Sequence, residues 1–572
     1  METLDLFAYS AEEPAVYPPR DVLHLMAEEP ERRALRRIKS VMRAGYSCVG
    51  AISTGKDSSA LANLLLQAAR DFQRDGEPYA PIYITHSQTG VENPEVSKLA
   101  YGELEKIRAY AALHSLDVTV HVAEPALSDT FPVAIIGGRR LPSYATTNSE
   151  CSISWKVEPQ RRLIAVAKKA AVRSGKAWAG SVVMTGVRSD ESDARSAKVI
   201  RRGETAEGLW TNEAGDLRAS PILCWTTDDV WTYLAHCNAG IIDSYSDFAD
   251  TMELYRQAGA ESCVIVADMM TSSARTKCGA RTGCWSCLRV QRDRSMEHMI
   301  ASEPRNAYLK PLSRLRAYLQ STQYEWSKRQ FVGRSISRDG FIEIGADTFS
   351  PHELRDLFVY TLTAERLSGV QIMSLKQIIA IDARWSMYGL WPPFYALKLW
   401  SEVQEGGWKQ APEIEPVPKT DVPKIGKIHV GSTWYEATGL NSVTGLRDIG
   451  MELFHESCGV AIKALPNGAL VANYEEGDRF DVDAEGAADF LGVLADDYIE
   501  RYCHMENVDW TEGYRTYLRM GIITVAKGQS RSTDEILRRT QWRQQQGLHG
   551  QQNLQDLIER CTVLYDRQQQ LI

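Results

Sequence analysis

The 572-residue sequence contains no apolar run long enough to span a bilayer, which excludes a bundle of membrane helices. It carries no excess of positive charge. Its 65 Lys and Arg face 74 Asp and Glu, for a formal net charge of −9. That balance excludes a uniformly basic nucleic-acid binder but leaves room for a local basic groove. The first residues are acidic and contain Pro14, Pro18 and Pro19, unlike a signal peptide. The expectation is a soluble cytoplasmic protein with no membrane partner. Cysteine is sparse, at 11 residues, and in a cytosolic chain it points to metal or redox chemistry more than to disulfides. Cys48, Cys224, Cys237, Cys458, Cys503 and Cys561 are scattered and read as packing residues. Cys151, Cys263, Cys278, Cys284 and Cys287 stand apart from them. The chain is too long for one core, so two to four domains are expected.

The most informative stretch is Ser53-Thr54-Gly55-Lys56-Asp57-Ser58-Ser59. An apolar run, Tyr46 to Ile52, leads in as a buried strand, and Leu61 to Leu66 leads out as a helix. Strand, short polar turn and helix together point backbone N–H groups at an anion. The spacing Gly50-x4-Gly55-Lys56 approaches the ordinary nucleotide P-loop, but Asp57 stands where that motif needs Ser or Thr for magnesium. The order Ser-x-Gly-x-Asp-Ser instead resembles the PP-loop of ATP pyrophosphatases, which cleave ATP between the α and β phosphates. Ser53, Gly55, Lys56, Asp57, Ser58 and Ser59 occupy the matching positions. A simple capped helix start is the alternative.

Along the chain, strand and helix patterns alternate. A charged amphipathic helix is expected over 21–43, and strands over 79–85, 117–123 and 181–187. Helices are expected over 94–114 and 157–174. This alternation predicts an α/β fold, a PP-loop (adenine nucleotide alpha hydrolase-like) parallel sheet with helices on both faces. Ligands in such sheets sit beyond the carboxyl ends of the strands. The PP-loop, residues 85–93 and residues 186–195 all fall there. Asn93 and Pro94 read as a helix cap and first helical residue. Around Gly186, a glycine permits close backbone approach, and Arg188 and Arg195 are suited to phosphate, with a surface ion-pair cluster as the alternative. Residues 221–231 read as a strand end and capped helix, with Trp225 and Trp231 in the core.

Taken together, the PP-loop, Thr89-Gly90-Val91-Glu92, Gly186-Val187-Arg188-x-x-Glu191-Ser192-x-x-Arg195 and Pro221-Ile222 through Trp231 resemble the phosphoadenosine phosphosulfate reductase branch of the PP-loop superfamily. The resemblance implies that Ser53, Thr54, Gly55, Lys56, Asp57, Ser58, Ser59, Thr89, Gly186, Arg188, Glu191 and Arg195 bind ATP and pyrophosphate. The Glu-Cys-Gly-Leu-His tail of those reductases is missing. Cys458-Gly459 is followed by Val460-Ala461, and the chain closes on Gln568-Gln569-Gln570-Leu571-Ile572.

Cys278-x5-Cys284-x2-Cys287, with Cys263 upstream, supplies four thiols within 25 residues. That is enough for zinc or for a 4Fe-4S cluster, and spacing alone does not choose. The run Ala280-Arg281-Thr282-Gly283-Cys284-Trp285-Ser286-Cys287, followed by Arg292-Asp293-Arg294-Ser295-Met296, resembles the Arg-Phe-Gly-Cys-Trp-x-Cys and Lys-Asp-x-Ser-Met signature of the DndC sulfurtransferases of DNA phosphorothioation. Thr282 replaces the Phe. Cys151, in Glu150-Cys151-Ser152-Ile153-Ser154-Trp155-Lys156-Val157, falls where that family has Cys-Thr-x-x-x-Lys. The resemblance covers roughly 30–400. It implies ATP, Mg2+ and a 4Fe-4S cluster (alternatively Zn2+), with Lys56, Asp57 and Cys151 catalytic. It also implies DNA as substrate, a cysteine desulfurase as sulfur donor and further subunits of a DNA-modification complex. Five cysteines exceed four ligand positions, so Cys151 is either a ligand or a free sulfur carrier whose thiolate Lys156 would favour.

The expected organisation is an N-terminal extension over 1–45 and a PP-loop domain with the cysteine cluster over 46–295. A mostly helical region over 296–405, a linker over 406–426 and a smaller α+β module over 427–572 follow. The arginines between Arg305 and Arg338 read as a solvated helical face or a nucleic-acid groove.

Overall fold

The structure, a computed structural model, describes residues 29–147, 150–173, 178–191, 199–212, 215–258, 283–337, 339–423, 425–429, 508–525, 528–545 and 547–550. Short further pieces lie between 446 and 500 and between 555 and 559. Cys263, Cys278 and Arg195 fall outside the described residues, as do residues 21–28 of the expected first helix.

Six strands form one sheet: β1 (Tyr46–Ala51), β2 (Ile82–Ser87), β3 (Val118–Ala123), β4 (Gly180–Thr185), β5 (Trp210–Thr211) and β6 (Leu217–Ala219). Their order is β3-β2-β1-β4-β6-β5, and only the β5–β6 pair is antiparallel. The sheet is therefore the mostly parallel α/β sheet that the alternation predicts. β2 begins later than expected because Pro81 has no N–H to give to the ladder.

Side chains alternate across the sheet with period two. Cys48, Ile52, Ile82, Ile84, Val182 and Met184 face one core, which includes apolar residues of the helices Pro30–Arg43, Lys56–Arg74, Pro94–Leu113 and Thr227–Asn238. Val49, Tyr83 and Val183 face the other side, against Ile164 and Ala167 of the helix Glu158–Arg173. Each fully buried aliphatic side chain contributes about 1.5–3 kcal/mol. Helix starts follow their sequence signals. Asn93 accepts from the amide of Glu95 at 3.0 Å, and Thr226 and Asp229 form a reciprocal cap. Trp225 is buried in the first core.

Between 296 and 405 the expected helices are interrupted by a hairpin, β7 (Arg329–Ile336) and β8 (Phe341–Phe349), extended by β9 (Ile428–His429). Phe331, Val332 and Ile342 pack its face, and Gly340 turns it with φ of +78°. The β-branched and aromatic residues of the two strands outweigh the arginines that suggested a helix, and the pairing shifts register on both sides of Val332. A short antiparallel pair, β10 (Ala461–Ala464) and β11 (Leu470–Asn473), lies within the α+β module expected over 427–572.

The largest core runs across the boundary expected at 295. It joins Phe131, Trp155 and Trp285 to Leu312, Leu357 and Trp385 of the helical region and to Tyr517. Residues 411–414 of the expected linker are docked. Ala411 is buried, Arg314 Nε donates to its carbonyl at 2.5 Å, and Ser321 Oγ donates to the carbonyl of Ile414 at 2.9 Å. Among the described residues no helix is long and apolar enough to cross a membrane.

Candidate nucleotide and sulfur site

The strand order reverses direction at β1, with β2 and β3 on one side and β4 on the other. The carboxyl ends of β1 and β4 therefore bound the crevice where doubly wound sheets hold ligands. Ser53–Ser59 follows β1, and Gly186–Arg188 follows β4. Gly55 is the N-cap residue of the helix Lys56–Arg74, so that helix begins on the loop with its first amides and positive dipole end. Thr54 sits at φ of +59°, a strained region for a β-branched residue, and its hydroxyl is taken by the carbonyl of Ser53 at 2.7 Å. Ser58 Oγ receives the amide of Ser53 at 3.1 Å and donates to the carbonyl of Gly55 at 3.0 Å, closing the turn. A Cβ on Gly186 would lie 3.0 Å from the carbonyl oxygen of Asp57, so only glycine lets β4's end press against the loop.

Lys56 Nζ donates to both oxygens of Asp57, at 2.9 and 3.1 Å, and Arg188 Nε donates to Asp57 Oδ1 at 2.6 Å. The Arg188 side chain is 2% exposed. Its Nη1 donates to the carbonyl of Trp225 and to Thr227 Oγ1, both at 3.3 Å. Arg188 thus braces Asp57. Glu191 ends a short 3-10 turn, Ser189–Glu191.

Thr89 lies on the other side of the site. Its amide donates to Glu92 Oε1 at 2.9 Å, and its hydroxyl is 4.0 Å from Cys284 Sγ. Glu92 forms a β-bridge with Cys284, and Trp285 N donates to the carbonyl of Val91 at 2.8 Å. The cysteine turn is therefore stitched to the carboxyl end of β2, the strand next to β1. Cys287 N donates to the carbonyl of Cys284 at 3.0 Å, so both thiols belong to one tight turn. Such a Cys-x2-Cys turn fits half of a tetrahedral shell for zinc or a 4Fe-4S cluster. Among the described residues no group of three or more His, Cys, Asp or Glu is arranged to hold a metal. Burial pushes the Cys284 thiol up to about 11, and the nearby Lys156 ammonium opposes this. The charge expected to act on Cys151 therefore reaches Cys284. Cys151 packs against the same core as Cys284. Phe131 bridges the two segments, with its ring 6.2 Å from Trp155 and 5.4 Å from Trp285.

Three residues of this site were not singled out by the sequence. His86 Nδ1 lies 3.0 Å from the carbonyl of Ile52 and ties the end of β2 to the start of the loop. A carbonyl only accepts, so Nδ1 carries the proton, and burial lowers the ring's pKa. The sequence marked it only as part of the stretch 85–93 at the ligand end of the sheet. The Tyr255 hydroxyl accepts from the amide of Lys56 at 3.4 Å, and its ring lies 5.9 Å from Lys56 Nζ. No motif marks it. Arg316, inside the arginine run, is buried and donates to the carbonyls of Cys287 at 2.9 Å, Val290 at 2.5 Å and Gln291 at 3.3 Å. Arg329 likewise donates to the carbonyls of Thr322 and Gln323. These two arginines tie loops down and line no groove.

Residues 47–287 match the family profile described as the phosphoadenosine phosphosulfate reductase domain. No curated protein matches the sequence. Similar solved structures include phosphoadenylyl-sulfate (PAPS) reductase from Candida auris in its phosphate complex. It is 13% identical, over 40% of this chain and 91% of that one, with a TM-score of 0.23. The U34-tRNA thiolase NcsA from Methanococcus maripaludis, with its 4Fe-4S cluster, is 14% identical over 40% and 71%, with a TM-score of 0.24. FMN adenylyltransferase from Candida glabrata, with FAD and inorganic pyrophosphate, is 11% identical over 39% and 62%, with a TM-score of 0.22. Residues 47–287 therefore form a phosphoadenosine phosphosulfate reductase-like domain with a PP-loop-like fold.

Proposed function

We propose that this chain is an ATP pyrophosphatase and sulfurtransferase that adenylates a DNA backbone phosphate and replaces one of its oxygens with sulfur, as in DNA phosphorothioation. One observation carries the reading: the Lys56–Asp57 loop lies at the sheet's switch point, one strand away from a cysteine turn stitched to β2.

A phosphodiester oxygen is a poor leaving group, and AMP transfer makes it a good one. Lys56 and the loop amides would neutralise charge developing on the departing pyrophosphate. Asp57, held by Arg188, would offer its carboxylate to Mg2+ as the nucleotide arrives. In the second step a phosphorus–sulfur bond forms while the phosphorus–oxygen bond to AMP breaks, and AMP leaves with the electron pair. Cys151 is the candidate carrier of that sulfur, as a persulfide supplied by a cysteine desulfurase. Its outer sulfur attacks phosphorus, and an external thiol then attacks Cys151 Sγ and breaks the S–S bond. The sulfur stays on phosphorus with the electron pair, and a second equivalent of thiol reduces the resulting mixed disulfide back to the Cys151 thiol. A 4Fe-4S cluster held by Cys284 and Cys287, with partners among Cys151, Cys263 and Cys278, would supply sulfide chemistry when bound.

Mass spectrometry of nuclease-digested host DNA, with and without this gene, tests the reading. Phosphorothioate dinucleotides should appear only with the gene and vanish with Lys56→Ala. Thiolated tRNA or a reduced sulfonucleotide in their place would replace DNA as the substrate. No pyrophosphate release, together with one zinc and no iron, would reduce the chain to a nucleotide-sensing scaffold.

A further inference from the structure

A cavity of about 610 Å3 opens where four separate segments meet: the stretch Asp129–Arg140, the turn around Glu150–Ser154, Tyr388 at the end of the helix Leu375–Met387, and the helix Ser530–Gln545, which contributes Ile536 and Arg539. Its walls carry three guanidinium groups, Arg139, Arg140 and Arg539, against two carboxylates, Asp129 and Glu150. We propose that this cavity is a phosphodiester site that seats the sugar–phosphate backbone of DNA beside Cys151. This rests on the function proposed above and names the surface that would hold its substrate.

The placement follows from the chain. Glu150 and Ser154 line the cavity, and Cys151 lies between them on the same turn. One turn on, Trp155 packs through Phe131 towards Trp285 and the cysteine turn. A backbone seated in the cavity would therefore run along the sulfur side of the site.

The chemistry of the walls suits phosphate. Arg140 is fixed in place: its Nη2 donates to Ser154 Oγ at 2.9 Å and its guanidinium lies 5.8 Å from the Trp155 ring. Its charge is met only loosely, by Glu150 at 3.4 Å, a side chain 64% exposed. Arg139 pairs with Asp129 at 2.9 Å, also near the surface. In each pair one partner reaches solvent, Glu150 in the first and Arg139 in the second, so a phosphate oxygen arriving from solvent can compete with the carboxylate for the guanidinium. A guanidinium fork binds phosphate bidentately, which a carboxylate swinging in solvent does not match. Ile153, on the same turn, gives the wall an apolar patch for sugar or base.

The test is fluorescence anisotropy of the full chain with a labelled DNA duplex and a labelled single strand, across a salt series. Arg139→Ala/Arg140→Ala should weaken binding about tenfold or more and lower the log–log salt slope by about 1–2. Glu150→Gln should tighten binding about two- to threefold, a gain that misfolding does not produce. If the wild type binds DNA and both variants match it in affinity and slope, this site is overturned while the DNA reading stands. If the wild type binds no DNA at any salt concentration, both fall together.

Discussion

At the scale of single residues, the site separates groups that meet the nucleotide from groups that hold them. Lys56→Ala removes the loop's ammonium, which is paired with Asp57, and should lower pyrophosphate release on the order of 10²-fold or more, read by a coupled phosphate assay. Tyr255→Phe should act in the opposite direction. The Lys56 amide already uses the Tyr255 hydroxyl, so its loss should tighten pyrophosphate binding by about two- to fivefold, the worth of one neutral hydrogen bond, in calorimetric titration. The loop and the cysteine turn were legible in the sequence because each concentrates its chemistry in a short contiguous run. Tyr255 and Arg316 were not, because they act on the loop and the turn from 199 and 29 residues away. Arg188 was legible as part of the site, but its role was not. Whether a guanidinium faces ligand or clamps a carboxylate depends on what surrounds it in space.

Among the elements, the parallel sheet and its helices were legible from period-two and helical patterns bounded by Asn93-Pro94 and Thr226-Thr227. The hairpin β7–β8 was hidden by its arginines, whose long stems obscure an alternating pattern. A different kind of joint links the helical elements. Asp382, on the helix Leu375–Met387, accepts from the amides of Ala396 at 2.7 Å and Phe394 at 3.0 Å and from the Tyr517 hydroxyl at 2.9 Å. Burial outweighs these donors and pushes its carboxyl up to about 6 from the ordinary 3.8. A folded-state pKa above the unfolded one means that folding favours the protonated form. Its contribution is therefore complete below 3.8 and lost once the pH has risen through about 6, on the order of 3 kcal/mol. Urea unfolding at pH 4 and pH 7 checks this. The stability difference between the two should shrink by about that amount in Asp382→Asn, which has no charge to titrate.

For the whole molecule, the connections between the sheet's strands, around Phe131, Trp155 and Trp285, share a core with the helical region. A fragment ending at Arg294 would expose Phe131, Trp155 and Trp285 together. It should bind a hydrophobic dye and aggregate on size-exclusion chromatography, where the full chain should elute as folded protein. The strapped helix Lys310–Ser321 carries this dependence further. Arg316 holds the cysteine turn, and the helix that carries Arg316 is itself held by the chain at 411–414. During synthesis the turn therefore emerges more than 100 residues before its last fastening does. On the ribosome it passes through an interval in which its thiols are open to solvent and to delivery factors. Stalled nascent chains ending before 411 should be alkylated at Cys284 and Cys287 much faster than chains extended beyond 450. Equal rates would mean that the turn closes without its strap.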